Sequence, residues 1–145
     1  MMATMDAGAS WFSLDASRVA TGEPGTTDIA IDPSNPAAVY VALGGETLWR
    51  SQDGGATWNS TTTGLNGIRY AAAVAVDHHF PGTLYAAGNG VFKSVDGGQT
   101  WVSISDGLFG QAVATIEVHP SIPGLVYAGT PIGVFILYQP ASQSQ

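Results

Sequence analysis

The octapeptide SQDGGATW at residues 51–58 returns as SVDGGQTW at 94–101, and a looser copy, TMDAGASW, occupies residues 4–11. Trp11, Trp58 and Trp101 thus recur at a step of about 45 residues, a period that marks a repeat architecture. Other positions keep the same phase. IDPSNPAAVYVA (31–42), VDHHFPGTLYAA (76–87) and VHPSIPGLVYAG (118–129) align without a gap, which sets Pro36, Pro81 and Pro123 in register and, after them, Tyr40, Tyr85 and Tyr127. The segments TLWRS, GVFKS and GVFIL follow, so that Trp49, Phe92 and Phe135 correspond, as do Arg50 and Lys93. Gly64-Leu65 and Gly107-Leu108 each trail an octapeptide tryptophan by the same interval.

Within each repeat the pattern is that of short strands. DIAID, AAVAVD and TIEVH are β-rich runs closed by proline-containing loops, and AVYVA, TLYAA and LVYAG are second runs. TLWRS, GVFKS and GVFIL make third runs, and a fourth begins at each tryptophan with WFSL, WNSTTT and WVSIS. Charged residues supply only 10% of the chain, while it carries 19 glycines and 45% hydrophobic residues, a balance suited to turn-rich sheets rather than helices. The expectation is an all-β chain in which four-stranded antiparallel meanders recur at about 28–64, 72–107 and 115–138. The N-terminal strand at 11–15 is expected to complete the last of them, and residues 139–145 form a polar tail.

The pattern S-x-D-x-G-x-T-W, with the proline-tyrosine segment, resembles the Asp-box of the bacterial neuraminidase repeat (BNR) family of β-propellers. Similar repeats occur in sialidases, xyloglucan-cleaving glucanases, sortilin-type receptors and photosystem II assembly factors, so the resemblance implies a fold more than a function. It implies a β-propeller segment of about three four-stranded blades, spanning residues 1–138. Family company favours an extracellular or periplasmic protein, although this chain carries no signal peptide. Three blades fall short of the roughly four to eight that close a propeller, and a degenerate octapeptide opens the chain. The expectation is a partial propeller of a longer protein or one that assembles from copies of itself.

Each octapeptide has a physical reading. Asp6, Asp53 and Asp96 are short carboxylates able to accept hydrogen bonds from N–H groups of their own turns, and Gly8, Gly55 and Gly98 supply positive φ. The hydroxyls of Ser51, Thr57, Ser94 and Thr100 pin the strand ends, while Trp11, Trp58 and Trp101 bury large rings. A carboxylate that recurs in every repeat reads as a structural clasp. No catalytic residue is assigned to it.

In a meander successive turns alternate ends, so the octapeptide turns share one end with the loops between first and second strands. A ligand is expected at the opposite end, where the resemblance also places propeller ligands. Candidates there are Glu46, Arg69, Tyr70, Asn89 and Asp106, with Arg69-Tyr70 beside Asp106 as the best cluster for a glycan or an acidic peptide. Asp15, Arg18 and Glu23 lie on a further connecting segment.

Enzyme readings find little purchase. Arg18, Arg50 and Arg69 match the number of a sialidase arginine triad, yet Arg50 is the repeat counterpart of Lys93 and no F/Y-R-I-P motif is present. A glycoside hydrolase needs a spaced pair of carboxylates, and nothing singles one out among Asp15, Glu23, Glu46 and Asp106. His78, His79 and His119 fall in loops between first and second strands, too dispersed to propose zinc. Neither metal nor cofactor is assigned.

A net charge of −7, with only 4 basic residues, gives no footprint for nucleic acid or anionic lipid. The chain has no cysteine and no apolar run long enough to span a bilayer. The expectation is therefore a non-catalytic binding or scaffolding module for a glycan or protein, with a piece of a glycoside hydrolase propeller as the alternative.

Overall fold

The computed structural model describes residues 2–4, 6–13, 25–45, 48–65, 68, 70–108 and 110–139. Among these residues every regular element is a strand. The first four-stranded sheet comprises β3 (Thr26–Asp32), β4 (Asn35–Leu43), β5 (Leu48–Ser51) and β6 (Asn59–Thr61), in chain order. The second repeats it with β7 (Ala73–Val76), β8 (Leu84–Gly88), β9 (Gly90–Ser94) and β10 (Val102–Ser103). A third holds β11 (Thr115–Val118), β12 (Leu125–Thr130) and β13 (Gly133–Tyr138), and a two-stranded ribbon pairs β1 (Met2–Ala3) with β2 (Phe12–Ser13). All pairings are antiparallel.

The sheets stack through strand faces that alternate with the pleat. Tyr40, Ala42 and Leu48 on one face of the first sheet pack against Val74, Leu84, Ala86, Phe92 and Trp101 on the second. The same positions one repeat later, Tyr85, Ala87 and Val91, pack against Ile116, Val126, Ala128 and Phe135 of the third. The back of each sheet thus meets the front of the next. On the front of the first sheet, Val39, Val41 and Leu43 are covered by Trp58 and Trp49 of the same sheet.

One expectation is corrected. The N-terminal strand does not complete the third sheet in this chain, because β2 pairs with β1. The register explains the choice. Met2 opposes Ser13 and Ala3 opposes Phe12, as Trp49 opposes Ser60 and Arg50 opposes Asn59 in the first sheet. The ribbon is therefore the outer half of one more repeat, closed by its own octapeptide turn. A short local loop costs little entropy to close, and pairing with β13 would bring together positions more than 100 residues apart (about 120).

Trp11 is 58% exposed in that ribbon, whereas Trp58 and Trp101 are 7% and 3% exposed. The tryptophan of an octapeptide is buried only when a full sheet stands beneath it.

Candidate functional site

The three octapeptide turns share one hydrogen-bond pattern. Ser51 Oγ donates to Asp53 Oδ1 at 2.7 Å and accepts from the Gly55 amide at 2.8 Å, while the Thr57 amide donates to Asp53 Oδ1 at 2.8 Å and its hydroxyl to Oδ2. Ser94, Gly98 and Thr100 repeat this around Asp96, and Thr4, Gly8 and Ser10 around Asp6. Hydrogen bonds from Thr57, then Ser51, hold the Asp53 carboxyl down at about 2, and those from Ser10, then Thr4, do the same for Asp6. Burial raises Asp96, but its bonds from Thr100, Ser94 and Gln99 outweigh that and leave it also at about 2. A carboxylate with such partners is a poor proton donor near neutrality.

The turn of the second sheet has a further use. Arg50 of the first sheet donates from Nη1 to Gly97 O at 2.9 Å, Thr61 Oγ1 donates to Gly98 O, and Trp101 Nε1 donates to Thr61 Oγ1 at 2.9 Å. The octapeptide is a socket for the preceding sheet as well as a clasp for its own. The sequence signal for this was the basic residue shared by Arg50 and Lys93. Lys93, the repeat counterpart of Arg50, places its Nζ 5.9 Å from the Tyr85 ring centroid.

At the same end, the loops between first and second strands are fixed by a repeated acceptor. Asp32 Oδ1 takes the Ser34 amide at 2.8 Å, and Asp77 Oδ1 takes the His79 amide at 2.9 Å. In the third sheet His119 stands in their place, and its Nδ1 accepts the Ser121 and Ile122 amides, both at 3.0 Å. His78 and His79 reach across from the second sheet to Pro120 O at 2.9 Å and His119 O at 3.2 Å. Among the described residues no cluster of three or more potential ligands is placed to hold a metal ion.

The opposite end gathers part of the expected ligand face. A Cβ on Gly88 would lie 2.1 Å from Tyr70 O, and one on Gly90 would lie 2.4 Å from Ser105 Oγ. The turn Gly88-Asn89-Gly90 therefore sits between the segments carrying Tyr70 and Ser105-Asp106. The Ser105 hydroxyl accepts the Val91 amide at 3.0 Å, and Val113 N donates to Gly88 O at 2.6 Å. Tyr70 and Asp106 are exposed. Glu46 and Arg69, like Asp15, Arg18 and Glu23, lie outside the described residues. The Ala71 amide donates to Gly45 O at 3.0 Å, which brings the chain next to Tyr70 against the loop that carries Glu46.

Sequence reasoning missed a concavity between the sheets. A cleft of about 560 Å³ is lined by the innermost strands β3, β7 and β11, with Ile29, Ile31, Val74 and Val76 as its apolar wall and Asp28 and Glu117 as its acids. Asp28 is engaged, since its Oδ2 accepts the Val74 amide at 2.9 Å and ties the first sheet to the second. Glu117 is exposed. The available signal was one of phase: Glu117 occupies the repeat position of Ala30 and Ala75, where small residues otherwise stand.

Solved structures carry the same arrangement. The chain superimposes on the GH74 xyloglucanase from Xanthomonas campestris with a TM-score of 0.61 and 21% identity, over 92% of this chain and 25% of that one. It matches YCF48 from Cyanidioschyzon merolae with a TM-score of 0.63 and 16% identity over 83% of this chain and 39% of that one. YCF48 bound to D1 peptide gives a TM-score of 0.64 and 20% identity, covering 81% and 38%. The chain folds as part of a β-propeller. Its sheets are blades, and β3, β7 and β11 are their innermost strands. No family model and no curated protein matches the sequence. The chain spans well under half the length of each of these structures.

Proposed function

We propose that the chain is a non-catalytic propeller binding module of the BNR type, and that its ligand sits at the end of the blades opposite the octapeptide turns. The supporting observation is the division of polar groups between the two ends. At the octapeptide end each clasp carboxylate is consumed by its own turn. At the other end Tyr70 and Asp106 are exposed around a turn fixed by Gly88 and Gly90. An aromatic ring beside hydrogen-bonding groups suits a sugar face or an extended peptide. Both ligand types have a counterpart among the similar structures, one being a xyloglucanase and another a peptide complex.

Calorimetric titration of the chain with xyloglucan oligosaccharides and with a set of extended peptides tests the reading. Binding should weaken at least tenfold, about 1.4 kcal/mol, in Tyr70→Ala or Asp106→Ala. Absence of binding to both classes, or affinity indifferent to these substitutions, would overturn it.

A second reading, part of a glycoside hydrolase propeller acting on extracellular glycans, rests on Asp28 and Glu117 lining one cleft. It requires the release of reducing ends from xyloglucan and their loss in Glu117→Gln. Hydrolysis that survives this substitution would assign the chemistry elsewhere.

A further inference from the structure

All 3 histidines of the chain, His78, His79 and His119, stand at one seam, between the second and third blades. The seam between the first and second blades is tied differently. There Arg50 and Thr61 donate to Gly97 O and Gly98 O, Thr27 Oγ1 donates to Ala71 O at 2.9 Å, and Asp28 takes the Val74 amide. Histidine is the side chain whose ordinary charge change falls between about pH 5 and 8. Only the second seam is tied by it.

Nδ1 of His119 accepts two backbone amides, those of Ser121 and Ile122, both at 3.0 Å. A backbone N–H can only donate, so Nδ1 offers a lone pair and the ring proton stands on Nε2. In the first and second blades the same acceptor is a carboxylate oxygen, of Asp32 and of Asp77. The imidazole differs from both in what a proton does to it. A proton on Nδ1 turns the acceptor into a donor that faces two donors, and both bonds are lost.

The loop held in this way is the one that the second blade grips. His79 and His78 donate from Nε2 to His119 O at 3.2 Å and to Pro120 O at 2.9 Å. Their rings lie 4.1 Å apart, so charging both sets like charges against each other. The other titratable groups about His119 are few. Tyr127 on β12 places its ring 6.2 Å away, Glu117 stands exposed two residues earlier, and Asp77 heads the opposing loop with Oδ1 committed to the His79 amide. The two carboxylates favour an imidazolium, but neither returns a lone pair to the Ser121 and Ile122 amides.

We propose that the seam between the second and third blades is a pH-sensitive clasp, released when His119 takes up a proton. The neutral ring keeps the loop in the shape that presents His119 O and Pro120 O to the second blade. The imidazolium frees the loop, and the bonds from His78 and His79 lose their fixed acceptors. Acidification thus loosens one seam and spares the other, whatever ligand the blades carry.

Nuclear magnetic resonance of the full chain between about pH 8 and about pH 5 tests the clasp. At the upper limit the His119 ring should be the Nε2–H tautomer. As it gains its second proton, the Ser121 and Ile122 amide signals should shift in step, while the Ser34 amide, held by Asp32, stays in place. Overhauser contacts between the His79 ring and residues 119–120 should disappear over the same range. A ring that carries its proton on Nδ1 at the upper limit, stays neutral at the lower one, or charges without loss of those contacts would overturn the proposal. His119→Asn supplies an acceptor that does not take up a proton, so its seam contacts should survive the lower pH; their loss would place the sensor elsewhere and sink the clasp. His78→Gln with His79→Gln keeps donors on the second blade and should leave the Ser121 and Ile122 shifts intact. If those shifts vanish, the proton belongs to the second blade and the role of His119 is overturned.

Discussion

The turns around Asp96 and Asp6 make the same internal hydrogen bonds and differ in all that surrounds them. Asp96 belongs to a socket that receives Arg50 and Thr61 from the neighbouring blade and buries Trp101. Asp6 clasps a two-stranded ribbon whose tryptophan stands in solvent. An octapeptide is thus a self-sufficient local structure, and the contribution it makes to stability is set by the blade that leans on it.

The contrast is largest at the glycines that meet the next blade. Gly64→Ala places a methyl group against the Trp101 backbone at a φ of 85°, and should cost about 3 kcal/mol or more. Gly107→Ala has the same backbone strain without the clash and should cost about 1 kcal/mol. Urea midpoints of the two variants read the difference. Equal losses would remove the distinction between a filled and an open slot.

Asp96→Ala removes the acceptor of the buried Ser94 hydroxyl and of the Thr100 amide and should cost about 2 kcal/mol. Asp6→Ala should leave the main unfolding transition in place and melt only the ribbon, seen as loss of amide protection at Ser10. The same carboxylates fix the response to acid. Their folded values of about 2 lie below the usual 3.8, so the stability they add is present above about pH 4 and is lost as pH falls through about 2. Thermal melts between pH 5 and about pH 2 should show a steeper loss for the parent chain than for Asp96→Ala.

Smaller effects probe the two positions where one repeat departs from the others. His119→Asp restores the acceptor used by Asp32 and Asp77 and should change stability by less than about 0.5 kcal/mol, whereas His119→Ala should cost about 1 kcal/mol. Ala7 adopts a φ of 55° where the other octapeptides have Gly54 and Gly97. Ala7→Gly should relieve about 1 kcal/mol of local strain and raise protection in the β1–β2 ribbon alone.

Much of this was legible in the chain before any coordinates. The step between tryptophans gave the blade, the proline-tyrosine segments gave its first two strands, and the octapeptide gave the turn after the third. The expected ligand face was legible only as a list of loop residues, of which the described structure gathers Tyr70, Asn89 and Asp106 around one turn. The cleft acids Asp28 and Glu117 escaped notice because an acid on an innermost strand differs from its alanine and threonine counterparts in one repeat alone, which periodicity averages away. The pairing of β2 was misjudged for a related reason. Sequence phase states which role a strand has within a blade, not which blade it joins.

That division has a physical origin. Turn geometry, strand alternation and the hydrogen bonds of each clasp are satisfied within a few residues, so the sequence by itself determined them. Which face is covered, which tryptophan is buried and which edge stays open depend on contacts between repeats far apart in the chain. A repeat sequence writes the same interface at every step, and only the tertiary structure decided where among the described residues that interface is filled.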